Sequence, residues 1–126
     1  MKLTYPKVIK QVDLAEYAQE WGGQSIYVWA NPPSSDLQKW ADNRSIVFGL
    51  DKKKHTKQEI EQARDEFYEF MSVLLSQGKE KETHCDVANL KSIEEDTKET
   101  DPFFWVWLQK SVIETINDHR LLRKKA

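Results

Sequence analysis

The chain has 126 residues and a formal net charge of −2, and 39% of its residues are hydrophobic and 32% charged. This composition is typical of one soluble globular domain over residues 1–126, and it excludes disordered and fibrous proteins. The longest apolar run, Phe103 to Leu108, is too short to span a membrane. Residues 1–10 lack the apolar core and cleavage site of a secretory signal, so we expect a cytoplasmic protein.

The N-terminal third has the pattern of a small β unit. Residues 4–12 alternate in part and predict an edge strand, and residues 25–30 are β-branched and aromatic, which favours a second strand. A short helix is predicted between them, from Leu14 to the Gly22-Gly23 pair. The second strand ends where Pro32 and Pro33 remove backbone donors.

The rest of the chain has helical periodicity. Helices are predicted near residues 35–42, 57–77 and 102–122, each with one apolar side. Residues 45–50 fit either a strand or the tail of the first helix. Asp101 and Pro102 mark the start of the last helix, whose core stripe consists of Trp105, Leu108, Val112 and Ile116.

Residues 79–100 are mostly charged and have few large apolar side chains, so the pattern predicts a long connection with little packing. The sequence as a whole predicts an α+β fold, mainly helical, in which a two-stranded N-terminal β unit packs against three or four helices.

Aromatic residues are more numerous than one small core requires, with five tryptophans, five phenylalanines and four tyrosines. Phe103 and Trp107 project from the last helix on the side opposite its core stripe, and Tyr27 and Trp29 lie on the second face of a strand. A neighbouring segment could cover these rings. Alternatively, they form a partner-binding or self-association surface, because large exposed aromatic patches are rare on monomers. We predict partner binding through these four residues.

Residues with the spacing of a catalytic or cofactor-binding site do not stand out. The histidines are scattered, His84-Cys85 has no second pair at zinc spacing, and no glycine-rich phosphate loop occurs. We therefore expect no enzyme activity, no metal and no cofactor. The basic clusters Lys52–His55 and Arg120–Lys125 favour solvated surface over a nucleic-acid site, since the net charge is negative.

Four segments of the chain resemble the tail assembly chaperones of long-tailed (siphovirus-like) bacteriophages. They are residues 12–18 (VDLAEYA), residues 21–33 (WGGQSIYVWANPP), residues 89–91 (NLK) and the Asp101-Pro102 pair. In that family a small β element precedes a set of helices, and a Trp-Asn-Leu segment often introduces the final helical part. Here Ala88 stands in the place of that tryptophan, and the glycine that usually follows is missing.

The resemblance implies a non-enzymatic protein that binds the tape measure protein, keeps it soluble and promotes assembly of tail tube subunits around it. It also implies a homo-oligomer that acts in the host cytoplasm and is absent from the mature virion. Three alternatives remain open: a small regulatory protein that binds nucleic acid, a small protein-interaction module of other phage or bacterial origin, and a small enzyme whose site the sequence does not mark.

Overall fold

The computed structural model describes residues 6–49, 53–76 and 86–125. In these ranges two strands, with two 3-10 turns between them, are followed by four helices, in the order β1 (Ile9–Asp13), the turns Leu14–Glu16 and Gln19–Trp21, β2 (Ser25–Trp29), α1 (Ser34–Phe48), α2 (Lys57–Leu75), α3 (Val87–Thr100) and α4 (Pro102–Lys125). This is the mainly helical α+β fold that the sequence predicts. No helix in the described ranges is long and apolar enough to cross a membrane.

The β unit is an antiparallel pair in which Val12 faces Ile26 and Lys10 faces Val28. β2 packs against α2, and this contact leaves Val28 fully buried. Asn31, just after β2, ties the start of the described chain to the sheet: its Oδ1 accepts from the Val8 backbone N–H at 2.7 Å, and its Nδ2 donates to the Pro6 carbonyl at 2.9 Å. The prediction that the β unit packs against helices is confirmed.

The prediction of one short helix between the strands is wrong, because two separate 3-10 turns form there. Asp13 caps the first 3-10 turn by accepting from the Ala15 backbone N–H at 2.9 Å, but a second, separate turn begins at Gln19. Eleven residues connect the two paired strands here. The backbone N–H of Leu14 donates to the Gln24 carbonyl at 2.9 Å, and this bond joins the two ends of the connection. This short closed segment brings Tyr17 and Trp21 onto the helices instead of forming a continuous α-helix.

Residues 45–48 form the tail of α1, which settles the question that their sequence leaves open. The connection predicted over residues 79–100 is also wrong in part, because residues 87–100 form α3 and residues 79–85 lie outside the described ranges. Asp86 caps this helix by accepting from the Asn89 backbone N–H at 2.8 Å. Leu90 is fully buried, and the half-buried Val87 and Ile93 pack against the same core.

The core lies where α2, α4 and β2 meet. Phe67, Met71 and Leu74 of α2 are fully buried, as the apolar stripe of that helix predicts. The α4 stripe is confirmed too, since its four members are no more than 7% exposed; they are Trp105, Leu108, Val112 and Ile116.

Truncating the α4 stripe should destabilise the protein. Val112→Ala and Ile116→Ala each remove methyl groups from a site with no access to water, and the cavity left behind adds to the lost transfer energy. We expect each variant to lower the free energy of unfolding by about 1 to 4 kcal/mol in urea denaturation. A loss below about 0.5 kcal/mol at both positions, the range of surface substitutions, would contradict the burial of this face.

Candidate partner-binding surface

The first turns of α4 carry the most exposed large apolar side chains of the described chain. Phe103 is 75% exposed and Val106 is 57% exposed. They lie three residues apart, so they are neighbours on the helix surface, and Trp107 lies one turn from Phe103. We refer to Phe103, Val106 and Trp107 as the α4 patch. Val106 is not among the four contact residues predicted from sequence, although its spacing of three residues from Phe103 indicates the same side of the helix.

Trp107 is half-buried, and it contacts both Tyr17 of the β unit, with ring centroids 5.3 Å apart, and Phe104, with ring centroids 6.0 Å apart. Phe104 is buried between Trp21, on which it stacks at 4.4 Å, and Tyr17, whose ring centroid is 5.3 Å away. These four rings form an aromatic cluster that attaches the segment between the strands to α4. The predicted exposure therefore holds for Phe103, whereas Trp107 presents only part of its ring to solvent.

A partly buried hydrogen bond stabilises the same junction between the β unit and α4. The Tyr17 hydroxyl donates to Asp101 Oδ1 at 2.5 Å, across 84 residues of sequence. The carboxylate that the sequence predicts as a cap for α4 thus receives its hydrogen bond from Tyr17, while the Phe104 backbone N–H donates to the Asp101 carbonyl. This contact holds the β unit against the start of α4, directly beside the patch.

The hydrogen bond to Asp101, together with burial and the nearby carboxylate charge, raises the pKa of Tyr17 to about 12. Because this pKa lies above the unfolded value of about 10, the folded state favours the protonated phenol. The hydrogen bond from Tyr17 to Asp101 therefore contributes to stability below pH 10. That contribution should be lost as the pH rises from about 10 to about 12. Urea denaturation across this pH range should show a smaller decrease in the free energy of unfolding for Tyr17→Phe than for the wild type. Identical pH profiles would contradict this role of Tyr17.

Tyr27 and Trp29, the other two predicted contact residues, are both half-buried on β2. The Trp29 indole N–H donates to Asn31 Oδ1 at 2.9 Å, and the Lys7 ammonium group lies 4.6 Å from the ring centroid. Within the described ranges no ring contact joins this pair to Phe103 or Trp107. The four residues predicted from sequence therefore lie in two separate places. Trp29 already contacts Asn31 and Lys7 beside its own strand.

The described ranges contain no group of three or more histidine, cysteine, aspartate or glutamate side chains that could hold a metal ion. His84 and Cys85 lie outside these ranges, as does Lys52. Lys53 and Lys54 are exposed in a short 3-10 turn, and the side chains of the last basic residues, 123–125, are not among those described.

A cavity of about 550 Å³ lies between α2, α3 and the start of α4. Its ionisable lining mixes cations and carboxylates, and they are Arg64, Lys91, Lys98, Glu94 and Glu95. Burial raises the pKa of Glu94, an effect that Arg64 and Lys98 oppose. The cavity thus holds a mixed set of charges that partly offset one another.

The α4 patch is the arrangement that differs most from ordinary surface. It combines exposed apolar side chains, a rigid helix and the aromatic cluster that packs against this helix. Proteins bind apolar segments of partners through surfaces of this kind. Comparisons with protein-family models, with curated proteins and with solved structures gave no match to this chain.

Proposed function

We propose that this protein is a tail assembly chaperone of a long-tailed bacteriophage and that it has no catalytic role. It binds an apolar helical segment of the tape measure protein through the α4 patch, keeps that protein soluble and promotes assembly of the tail tube protein around it. It acts in the host cytoplasm and leaves before the virion is complete.

The observation that carries the proposal is the exposure of Phe103 and Val106 at the start of α4. An exposed phenylalanine and valine on one side of a helix lose contact with water only when a partner covers them, and this burial supplies binding energy. Helix-in-groove recognition uses apolar anchors about one turn apart on a rigid element, which is the spacing of this patch. The patch therefore suits a partner with an apolar helical face.

The location of the resembling segments also supports the proposal. Residues 12–18 and 21–33 include the end of β1, all of β2 and the turn into α1, and Asp101-Pro102 begins α4. The order of a small β unit followed by helices agrees with what the resemblance implies. The α4 patch is adjacent to the junction that Tyr17 and Asp101 form between these segments.

Co-expression tests the proposed function. The tape measure protein encoded in the same phage genome, produced alone, should be largely insoluble, and it should become soluble and co-purify when this chain is produced with it. A tape measure protein that stays insoluble, or that is soluble without forming a complex, would contradict the proposal. An unrelated helical protein of similar size serves as the control for a general effect of co-expression.

Self-association is the second part of the proposal, and it concerns β2. Within the part of the chain that the structure describes, the sheet has two strands, so each strand has one edge without a strand partner there, and Tyr27 is a half-buried ring on such a strand. Sedimentation at micromolar concentration should detect oligomers, and Tyr27→Glu should shift them towards monomer by placing a charge at the contact. A wild type that stays monomeric at all concentrations would contradict self-association and leave binding of the tape measure protein untouched.

A further inference from the structure

A groove separates α1 from α4 on a side of the molecule that the proposed function does not use. Arg44 Nε donates to Gln109 Oε1 at 3.0 Å, and Arg120 Nη2 donates to Ser34 Oγ at 3.2 Å. These two bridges show that the helices run antiparallel. The two bridges are ten residues apart on α1 and eleven residues apart on α4, which is about 15 Å along the helices at 1.5 Å per residue.

Between the bridges lies an open cavity of about 390 Å³. Its apolar lining comes from both helices and consists of Leu37, Trp40, Ala41, Ile113 and Ile116. Trp40 and Ile116 are buried at its base, whereas Ile113 is half-buried and Ala41 is exposed. The groove is therefore an apolar slot of a size that suits a few side chains of a partner.

The charges around this slot have one sign. Among the described residues, Arg44 and Arg120 are the only charged ones that line it, and one lies at each end. Asp42, the nearest carboxylate along α1, accepts from Gln38 at 3.0 Å and does not line the slot. Within the described ranges neither arginine forms an ion pair, and each donates through one nitrogen to a neutral oxygen. A guanidinium group has five N–H donors, so both arginines retain donors that could bind a carboxylate.

We propose that this groove binds an amphipathic helix of a partner protein, with carboxylates that flank the apolar face of that helix and meet Arg44 and Arg120. The two cations lie about 15 Å apart along the helix axes, and this spacing fits carboxylates eleven residues apart, because three helical turns return them to the same side. The apolar side chains between them, at i, i+3 and i+4 spacing, enter the slot over Ile113 and Ile116. A small molecule with one carboxylate would engage only one arginine, so the paired ends favour a helix.

A designed peptide tests this directly. The probe is a capped, fluorescein-labelled helical peptide of alanine and glutamine with leucines at i, i+3 and i+4 and two glutamates three turns apart on the leucine side. Its control replaces both glutamates with lysine. Fluorescence anisotropy should show saturable binding of the acidic peptide and at least about 10-fold weaker binding of the basic one, and the difference should shrink as salt is added.

Two protein variants locate the binding. Ala41→Trp fills the slot from an exposed position and should abolish binding, whereas the matched Ala88→Trp, on an exposed position of α3 away from the groove, should leave it unchanged. Arg44→Gln with Arg120→Gln should remove the preference for the acidic peptide. Absence of saturable binding, equal binding of both peptides, or unchanged binding by Ala41→Trp would each overturn the proposal. None of these results bears on the α4 patch, which co-expression with the tape measure protein tests separately.

Discussion

Phe104→Ala should lower the free energy of unfolding by about 3 to 5 kcal/mol, the range for a buried phenylalanine. The ring is 4% exposed and stacks on Trp21 with centroids 4.4 Å apart, so its removal leaves a cavity inside the aromatic cluster. Offset and edge-to-face ring pairs add to the energy of area burial, and Phe104 contacts three other rings of the cluster. The loss should therefore lie near the top of that range.

The adjacent residue gives a matched control. Phe103→Ala deletes the same ring from a position that is 75% exposed, and it should change the free energy of unfolding by less than about 0.5 kcal/mol. Urea denaturation of the two variants side by side measures the difference. Similar losses at both positions would contradict the exposure of Phe103 and the burial of Phe104 at the start of α4.

Phe103→Ala combined with Val106→Ala should abolish co-purification with the tape measure protein while the fold survives. Each anchor of a helix-in-groove contact contributes on the order of 2 kcal/mol, and the loss of two such anchors weakens affinity by about a factor of several hundred. Both side chains are exposed in the unbound protein, so little internal packing is lost. Trp107 is left in place because it also contacts Tyr17, and its removal would mix binding with stability.

Val73→Ala provides the control for this experiment, since Val73 is 43% exposed on α2 and lies outside the α4 patch. It should leave co-purification at the wild-type level. If the double variant folds and still keeps the tape measure protein soluble, the contact surface lies elsewhere, and Tyr27 and Trp29 become the next residues to replace.

The helices with strong apolar periodicity could be predicted from the sequence. In α2 the spacing of Phe67, Met71 and Leu74 is enough to identify the buried side. α3 was missed because it carries few large apolar residues in a charged stretch, and its burial depends on α2 and α4 lying beside it. Its Asp86 cap was a local signal that the charged composition obscured.

The candidate surface was predictable in part. The helical position of Phe103 placed it away from the core stripe, and the structure has it exposed. The partial cover over Trp107 comes from Tyr17, ninety residues earlier, and sequence periodicity within one helix carries no information on such a contact. The groove was beyond prediction for the same reason, because Arg44 and Arg120 belong to different helices and come to its two ends only through tertiary packing.

Site-specific photo-crosslinking tests most directly the claim that the exposed start of α4 binds the partner. A benzophenone amino acid is placed at Phe103, or at Val73 as control, and cells that also produce the tape measure protein are irradiated. We predict a crosslinked product of this chain with the tape measure protein from position 103 and little from position 73. A product from position 73 alone, or equal yields from both positions, would contradict the assignment of partner binding to the α4 patch.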